Sequence, residues 1–204
     1  MLIEINQDNP DERKIKQVVK CLEDGGIIIY PTDTIYGIGC DIFNARAVER
    51  ICQLKGVKPK KVNLSFVCYD LSHLSDFTTQ FDKSVFKLMS RNLPGPFTFI
   101  LKGNNTVPKL FKSSKKTVGV RVPDNNIPRA IVKALGRPIL TTSLKHDDEI
   151  LEYMTDPELI YEKYYKLVDM VIDGGFGDNE PSTVVDCTGG EWEILRQGKG
   201  ELLE

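Results

Sequence analysis

Hydrophobic and polar positions along the first thirty residues follow the period of a helix and then that of a buried strand. Apolar residues recur at helical spacing between residues 9 and 26, with Asn9 predicted as the N-cap, Pro10 in the first turn and a glycine pair at the end. The run from Ile27 to Tyr30 is continuously β-branched or aromatic, which is typical of a buried strand. A helix followed by a buried strand favours an α/β fold.

Further strands and helices are predicted along the rest of the chain. Strands are predicted over residues 27–30, 64–69, 97–101, 117–122, 139–142, 168–172, 183–187 and 192–195. Further helices are predicted to begin at Asn44, after Asp70, near Asp82, at Ile127 and at Asp156. Because helices and strands alternate at first and strands then follow one another, we expect a mixed sheet with helices on its faces, in a single domain spanning residues 1–204.

Composition narrows the class of protein. With 204 residues, 41% hydrophobic and 27% charged, the chain has enough apolar residues to bury a core. It has no apolar run of the roughly 20 residues that span a bilayer, and no signal-peptide pattern, so we expect a cytoplasmic protein without membrane contact. Five scattered cysteines and two histidines argue against a disulfide framework and a metal site. Cys21, Cys52 and Cys68 are therefore interpreted as core residues.

The segment directly after the first buried strand is the first candidate for chemistry. Thr32, Asp33 and Thr34 offer hydrogen-bonding groups at the end of a strand, where open α/β sheets place their ligand-binding loops. Gly37 and Gly39 would let backbone amides approach an anion closely. The alternative is an ordinary turn in which Thr32 and Asp33 satisfy their own backbone.

Cationic and hydroxyl side chains at other element ends are further candidates for binding phosphate. Lys55 and Lys58 lie in a basic segment after the second helix, where neither a P-loop nor a dinucleotide-binding glycine motif is present, so side chains would hold the phosphate. Arg121 and Arg196 end predicted strands and could make bidentate contacts, although single arginines are more often surface ion-pair residues. Hydroxyl groups stand at other strand ends, where turn capping is the alternative role: Ser143, Ser182 and Thr183.

Taken together, five segments in this order resemble the YrdC-like family across nearly the whole chain. They are Tyr30 to Gly37, Leu93 to Thr98, Val118 to Pro123, Pro181 to Asp186 and Ile194 to Gly198. The resemblance implies a YrdC/RibB-like twisted, open, mixed sheet flanked by helices. It also implies a reaction in which ATP, L-threonine and bicarbonate give threonylcarbamoyl-AMP and pyrophosphate, for the threonylcarbamoyladenosine modification of tRNA.

The resemblance also implies a role for each candidate residue. Lys55 and Arg121 would form the catalytic clamp on carboxylate and phosphates. The substrate-binding residues would be Thr32, Thr34, Lys58 and Ser143, and the nucleotide-binding residues Ser182, Thr183 and Arg196. Magnesium would accompany the ATP, and positioning with charge neutralisation would drive the reaction, without a protein nucleophile.

Two motifs depart from the synthase pattern. The KxR motif is replaced by Lys55-Gly56-Val57, and the SxN motif by Ser143-Leu144-Lys145, which makes the chain more similar to the YciO branch of the family. An alternative function is therefore non-catalytic binding of double-stranded RNA or tRNA through the basic segment. A third, a sugar-phosphate enzyme, would need acidic metal ligands such as Asp33 with Asp41.

Overall fold

The computed structural model describes residues 1–56, 65–72, 74–107, 116–144 and 155–204. Its strands are β1 Leu2–Glu4, β2 Ile27–Tyr30, β3 Gly37–Asp41, β4 Ser65–Val67, β5 Phe97–Lys102, β6 Thr117–Arg121, β7 Ile139–Ser143, β8 Met170–Asp173, β9 Thr183–Asp186 and β10 Glu193–Arg196. Its helices are α1 Glu12–Glu23, α2 Ala45–Leu54, α3 Lys83–Asn92, α4 Asn126–Leu135 and α5 Pro157–Tyr164, with a 3-10 turn at Leu74–Asp76.

The described strands form one sheet in the order β1-β8-β2-β3-β7-β4-β6-β5-β9-β10. Parallel pairing joins β1 to β8, β2 to β8, β4 to β6 and β5 to β9, and the other neighbours are antiparallel. The expected mixed sheet with flanking helices is therefore confirmed. Its first two antiparallel pairs, β2 with β3 and β3 with β7, place the ends Tyr30, Gly37 and Ser143 side by side.

Two apolar clusters cover the sheet, one on each face. The larger cluster packs α2, α3 and α5 against residues such as Phe66, Phe99 and Val185. The smaller one packs α1 and α4 against the other face and ends at Val67 and Ile139. Because side chains alternate between the faces of a strand, the same face continues beyond this cluster with small and polar residues.

The predicted elements agree with the structure, apart from one cap, two strands and the short helix predicted after Asp70, which is a 3-10 turn at Leu74–Asp76. Helix α1 is capped by Asp11 rather than Asn9, since the Asp11 carboxylate accepts hydrogen bonds from the backbone N–H groups of Arg13 and Lys14 at 2.8 and 3.1 Å. Two strands were missed. They are β1, a three-residue strand at the sheet edge, and β3, which begins within the segment that we had interpreted as a binding loop.

The cysteines are packing residues, as predicted for three of them. Cys52 and Cys68 are buried, as are Cys40 and Cys187, and Cys21 is partly buried. Burial raises the pKa of the Cys68 thiol to about 12 and that of Cys187 to about 11. Such thiols remain protonated near neutral pH and are poor nucleophiles.

Candidate functional site

The candidate site lies on the sheet face that α1 and α4 cover only in part. Beyond Ile139, strand β7 continues on this face with Thr141 and Ser143. The neighbouring strands β4, β6 and β5 place Ser65, Gly119 with Arg121, and Thr98 on the same face, according to their pairing register. We call this surface the polar face; its residues are Thr141, Ser143, Ser65, Gly119, Arg121 and Thr98.

Arg121 is the cation at the centre of a hydrogen-bonded cluster. One of its terminal nitrogens, Nη2, donates to the Asp33 carboxylate at 3.1 Å and to the Thr34 hydroxyl at 2.9 Å. The Arg121 and Asp33 side chains are 12% and 9% exposed. The Nε of Arg121 is buried and has no hydrogen-bond partner among the described residues. A buried donor without a partner costs about 1–3 kcal/mol, which an acceptor on a ligand would recover.

The directions of the hydrogen bonds made by the Thr32 and Thr34 hydroxyl groups can be assigned from their partners. The Thr32 hydroxyl donates its one hydrogen to the carbonyl of Ile35 at 2.8 Å. The Thr34 hydroxyl must therefore be the donor in its contact with the Thr32 hydroxyl, where the two oxygens are 3.1 Å apart. Thr34 in turn accepts from Arg121. Thr32 and Thr34 are 8% and 0% exposed. Thr34 therefore has no surface open to solvent, and its contact with the site is the hydrogen bond from Arg121.

Gly37 and Gly39 have a packing role that differs from the predicted approach to an anion. A Cβ atom on Gly39 would lie 2.7 Å from the Leu140 carbonyl oxygen and 3.2 Å from the Tyr30 ring, and one on Gly37 would lie 3.2 Å from that ring. The glycines therefore allow Tyr30 to lie across β3. The Tyr30 hydroxyl donates to Thr141 at 2.6 Å, and burial raises the pKa of Tyr30 to about 12.

Lys55 and Ser143, predicted from separate motifs, lie together. Lys55 caps the end of α2, and its Nζ donates to the backbone carbonyl of Ser143 at 3.0 Å. Because Ser143 ends β7 on the polar face, this contact places the Lys55 ammonium at the margin of that face. Lys58, the other predicted lysine, lies outside the described residues, as do Val57 and Lys145.

Ser182 and Arg196 also lie together, one strand beyond the polar face. The Ser182 hydroxyl is 2.8 Å from that of Thr98 on β5. The Arg196 guanidinium donates to the carbonyl of Ser182 at 2.8 Å, which links β10 to the start of β9. The Thr98 hydroxyl on β5 is thus followed by the Ser182 hydroxyl and then by the Arg196 cation on the edge strand β10.

Thr183 is placed differently from the other predicted nucleotide-binding residues. Its side chain is fully buried and faces the larger apolar cluster, as does Val185 two residues later. Its hydroxyl donates to the Gly200 carbonyl at 2.6 Å and accepts from the Gly198 backbone N–H at 3.0 Å. The Thr183 side chain therefore secures the C-terminal segment, and its geometry gives no support to the predicted contact with a nucleotide.

Two residues next to the site had no part in the sequence prediction. Lys199 donates to the backbone carbonyl of Asp33 at 2.8 Å and pairs with the Asp178 carboxylate at 2.8 Å. The hydrogen bond from Lys199 is the main cause of a lowered pKa at Asp178. Both residues line a cavity of about 420 Å³ beside Thr32 and Asp33. No sequence motif marked Lys199, because its position depends on the path of the C-terminal segment.

Asp33 and Asp41, the acidic residues considered for a sugar-phosphate enzyme, each pair with an arginine. Asp33 pairs with Arg121, and the buried Asp41 accepts hydrogen bonds from Arg137 at 3.0 and 3.1 Å. In the described part of the chain, no three His, Cys, Asp or Glu side chains are grouped to hold a metal ion. The acidic pair that a sugar-phosphate enzyme would need is therefore committed to two separate ion pairs.

This sheet and the grouping of its polar motifs define a known class of protein. The family model for Sua5, YciO and YrdC, whose description is telomere recombination, matches residues 20–198. The chain belongs to this family. The predicted resemblance is thereby confirmed.

Within the family, the chain is similar to YciO proteins over nearly its full length. The chain is 42% identical to YciO of Escherichia coli (strain K12) over 200 residues, covering 97% of this chain and 95% of that protein. A Haemophilus influenzae protein is 41% identical over 197 residues, covering 96% and 94%. The similarity to the YciO branch agrees with the departures from the synthase motifs.

Solved structures give the same result. The crystal structure of E. coli YciO matches with a TM-score of 0.91 and 40% identity, covering 98% of this chain and 97% of that chain. P. abyssi Sua5 complexed with L-threonine matches with a TM-score of 0.87 and 26% identity, covering 97% of this chain and 57% of that one.

Among the described helices, none combines the length and apolar character needed to cross a bilayer.

Proposed function

We propose that the polar face binds ATP and that the chain forms threonylcarbamoyl-AMP, or a closely similar adenylate, from ATP, L-threonine and bicarbonate. Arg121 gives the main support, because its guanidinium is held on the polar face with a buried Nε donor that lacks a partner among the described residues. A planar guanidinium in a fixed orientation suits phosphate or carboxylate oxygens. The L-threonine complex of Sua5, a structural relative, supports an amino acid as the second substrate.

The bound groups would be arranged along the sheet. Ser143 and Lys55 lie at one margin of the polar face, and Ser182 with Arg196 lies at the other. Adjacent strands are about 4.8 Å apart, so the three strands from β6 to β9 span roughly 10 Å, the scale of a nucleotide. In this arrangement Ser182 and Arg196 contact the nucleotide, and Lys55 with Arg121 contacts the phosphates and the substrate carboxylate.

The chemical step would use the chain for positioning. The threonine amine and bicarbonate give a carbamate with loss of water, and one carbamate oxygen attacks the α-phosphorus of ATP while the bond from that phosphorus to pyrophosphate breaks. Arg121 and Lys55 would hold the phosphate oxygens in line and offset their charge. Mg²⁺ would be carried mainly by the triphosphate oxygens and water, since Mg²⁺ is usually bound through substrate phosphates with few protein ligands. The ion would supply further charge neutralisation.

Pyrophosphate release tests this function. With purified protein and ATP, release is expected only when threonine and bicarbonate are both present. Lys55→Ala and Arg121→Lys should abolish it, because the first removes a cation and the second replaces a rigid fork by a point charge. Lys87→Ala and Arg91→Ala, on the exposed side of α3 across the sheet, should leave it unchanged.

Two outcomes would contradict the proposed function. Full activity in both Lys55→Ala and Arg121→Lys would show that these two residues do not form a catalytic clamp. Absence of pyrophosphate release, together with RNA binding that weakens steeply with salt, would instead favour the non-catalytic RNA-binding alternative. Of the basic residues for that alternative, Lys55 lies at the margin of the polar face, and Lys58, Lys60 and Lys61 lie outside the described residues.

A further inference from the structure

Asp33 joins three separate parts of the chain. One oxygen of its carboxylate accepts from Arg121 Nη2 at 3.1 Å, and the other accepts from the backbone N–H of Asp124 at 3.0 Å. Its backbone carbonyl accepts from Lys199 Nζ at 2.8 Å. The end of β6, the segment before α4 and the C-terminal segment therefore meet at one residue. Because both carboxylate oxygens are used, the plane of the carboxylate is fixed.

The pairing fixes the guanidinium as well. The Asp33 side chain is 9% exposed and that of Arg121 is 12% exposed, so neither is free to rotate into solvent. Thr34 holds the same Arg121 nitrogen from a second direction at 2.9 Å. Two acceptors on one nitrogen define where the remaining donors of the planar guanidinium lie.

Simple electrostatics does not account for Asp33. A carboxylate 3.1 Å from the cation that is to bind an anion weakens the attraction of the site for that anion. Its contacts instead favour a role in orientation, which a neutral or mobile side chain at this position would not provide. Orientation and charge predict opposite effects of removing the carboxylate, so the two can be separated.

We propose that Asp33 is a positioning residue that sets the orientation of Arg121 for binding an anionic group of the substrate. The consequence for the ligand rests on the proposed function, with a nucleotide phosphate as the anion. The orientation of Arg121 itself is independent of that function.

The experiment compares Asp33→Ala, Asp33→Asn and the control Asp124→Asn. Asp124 is exposed, and it contributes a backbone N–H to the cluster, so the control removes one negative charge nearby and keeps the contact with Arg121. The first measurement is the side-chain Nε–H signal of Arg121 in ¹H–¹⁵N NMR spectra, assigned by its loss in Arg121→Lys. The second is the affinity for ATP by calorimetry.

Orientation by Asp33 predicts that the Nε–H signal of Arg121 shifts and exchanges faster with water in Asp33→Ala but not in Asp124→Asn. Affinity for ATP should fall about tenfold or more in Asp33→Ala, since misplacing a binding group is costly. Asp33→Asn keeps one acceptor oxygen and should lie between Asp33→Ala and the unmodified protein. In Asp124→Asn the affinity should be equal or slightly higher.

An unchanged Arg121 signal in both Asp33 variants would overturn the positioning role. A rise in ATP affinity in Asp33→Ala matching the rise in Asp124→Asn would overturn it too, since charge alone would then explain the effect. If the unmodified protein binds no ATP, the proposed function fails, and the NMR signal still decides the role of Asp33. Asp33→Asn provides the same test if Asp33→Ala does not fold.

Discussion

Replacing Thr183 by valine tests whether this residue holds the C-terminal segment or contacts a nucleotide. Valine has nearly the same shape, so the substitution removes the hydroxyl without opening a cavity. It leaves the Gly198 N–H without the partner that it has at 3.0 Å, and the Gly200 carbonyl loses the hydroxyl at 2.6 Å but keeps the Gln197 side-chain amide at 2.8 Å. Because an unsatisfied buried group costs about 1–3 kcal/mol, we expect a loss of about 1–3 kcal/mol in the free energy of unfolding.

Two assays measure the effect: equilibrium unfolding in urea gives the free energy of unfolding, and a thermal unfolding scan gives the Tm. For a chain of this size the expected loss corresponds to a fall in Tm of about 2–12 °C. Thr106→Val, at an exposed position, is the matched control and should change stability by less than about 0.5 kcal/mol. Affinity for ATP should remain unchanged in folded Thr183→Val. Unchanged stability combined with weakened ATP binding would refute the structural role and restore the predicted nucleotide contact.

Three further predictions concern packing, thiols and pH. Gly39→Ala should destabilise the fold by about 1–3 kcal/mol in urea unfolding, because its Cβ would lie 2.7 Å from the Leu140 carbonyl oxygen; stability equal to that of the unmodified protein would contradict this close approach of β7 to Gly39. Burial raises the pKa of the Cys68 thiol to about 12, so a thiol reagent at pH 8 should label it only after unfolding, as mass spectrometry would show. Lys199 lowers the pKa of Asp178, so this carboxylate stabilises the fold above its ordinary pKa, and the contribution is lost as pH falls through the lowered value. Lys199→Met should therefore flatten the decline of stability below about pH 4, and an equal decline in both proteins would contradict this linkage.

Much of the fold could be predicted because local signals and global structure agree. Helix α2 has an Asn44 cap and a regular apolar face, and β2 is a continuous apolar run with both faces buried. Strand β3 was missed because its sequence, Gly37 to Asp41, contains glycines that disfavour a strand in isolation. The Tyr30 ring packs against both glycines, and the Leu140 carbonyl lies close to Gly39. These are contacts between neighbouring strands, which residue spacing does not reveal.

The site could be predicted in part. Arg121, Lys55, Ser143 and Ser182 were identified as residues at the ends of helices and strands, and the structure gathers them on or beside one face. The period of a strand could have separated Ser182 from Thr183, since consecutive residues point to opposite faces. The contacts of Lys199 were beyond prediction, because they depend on how the last residues cross to the loop that contains Asp33.

A crystal structure with a non-hydrolysable ATP analogue and threonine tests the account most directly. We predict phosphate oxygens within hydrogen-bonding distance of the Arg121 guanidinium and the Lys55 ammonium, with the nucleoside extending over β5 toward Ser182 and Arg196. The same crystals of Arg121→Lys should show weaker or displaced phosphates. A nucleotide bound away from the polar face, for example in the cavity of about 600 Å³ beside Phe176, would contradict the account.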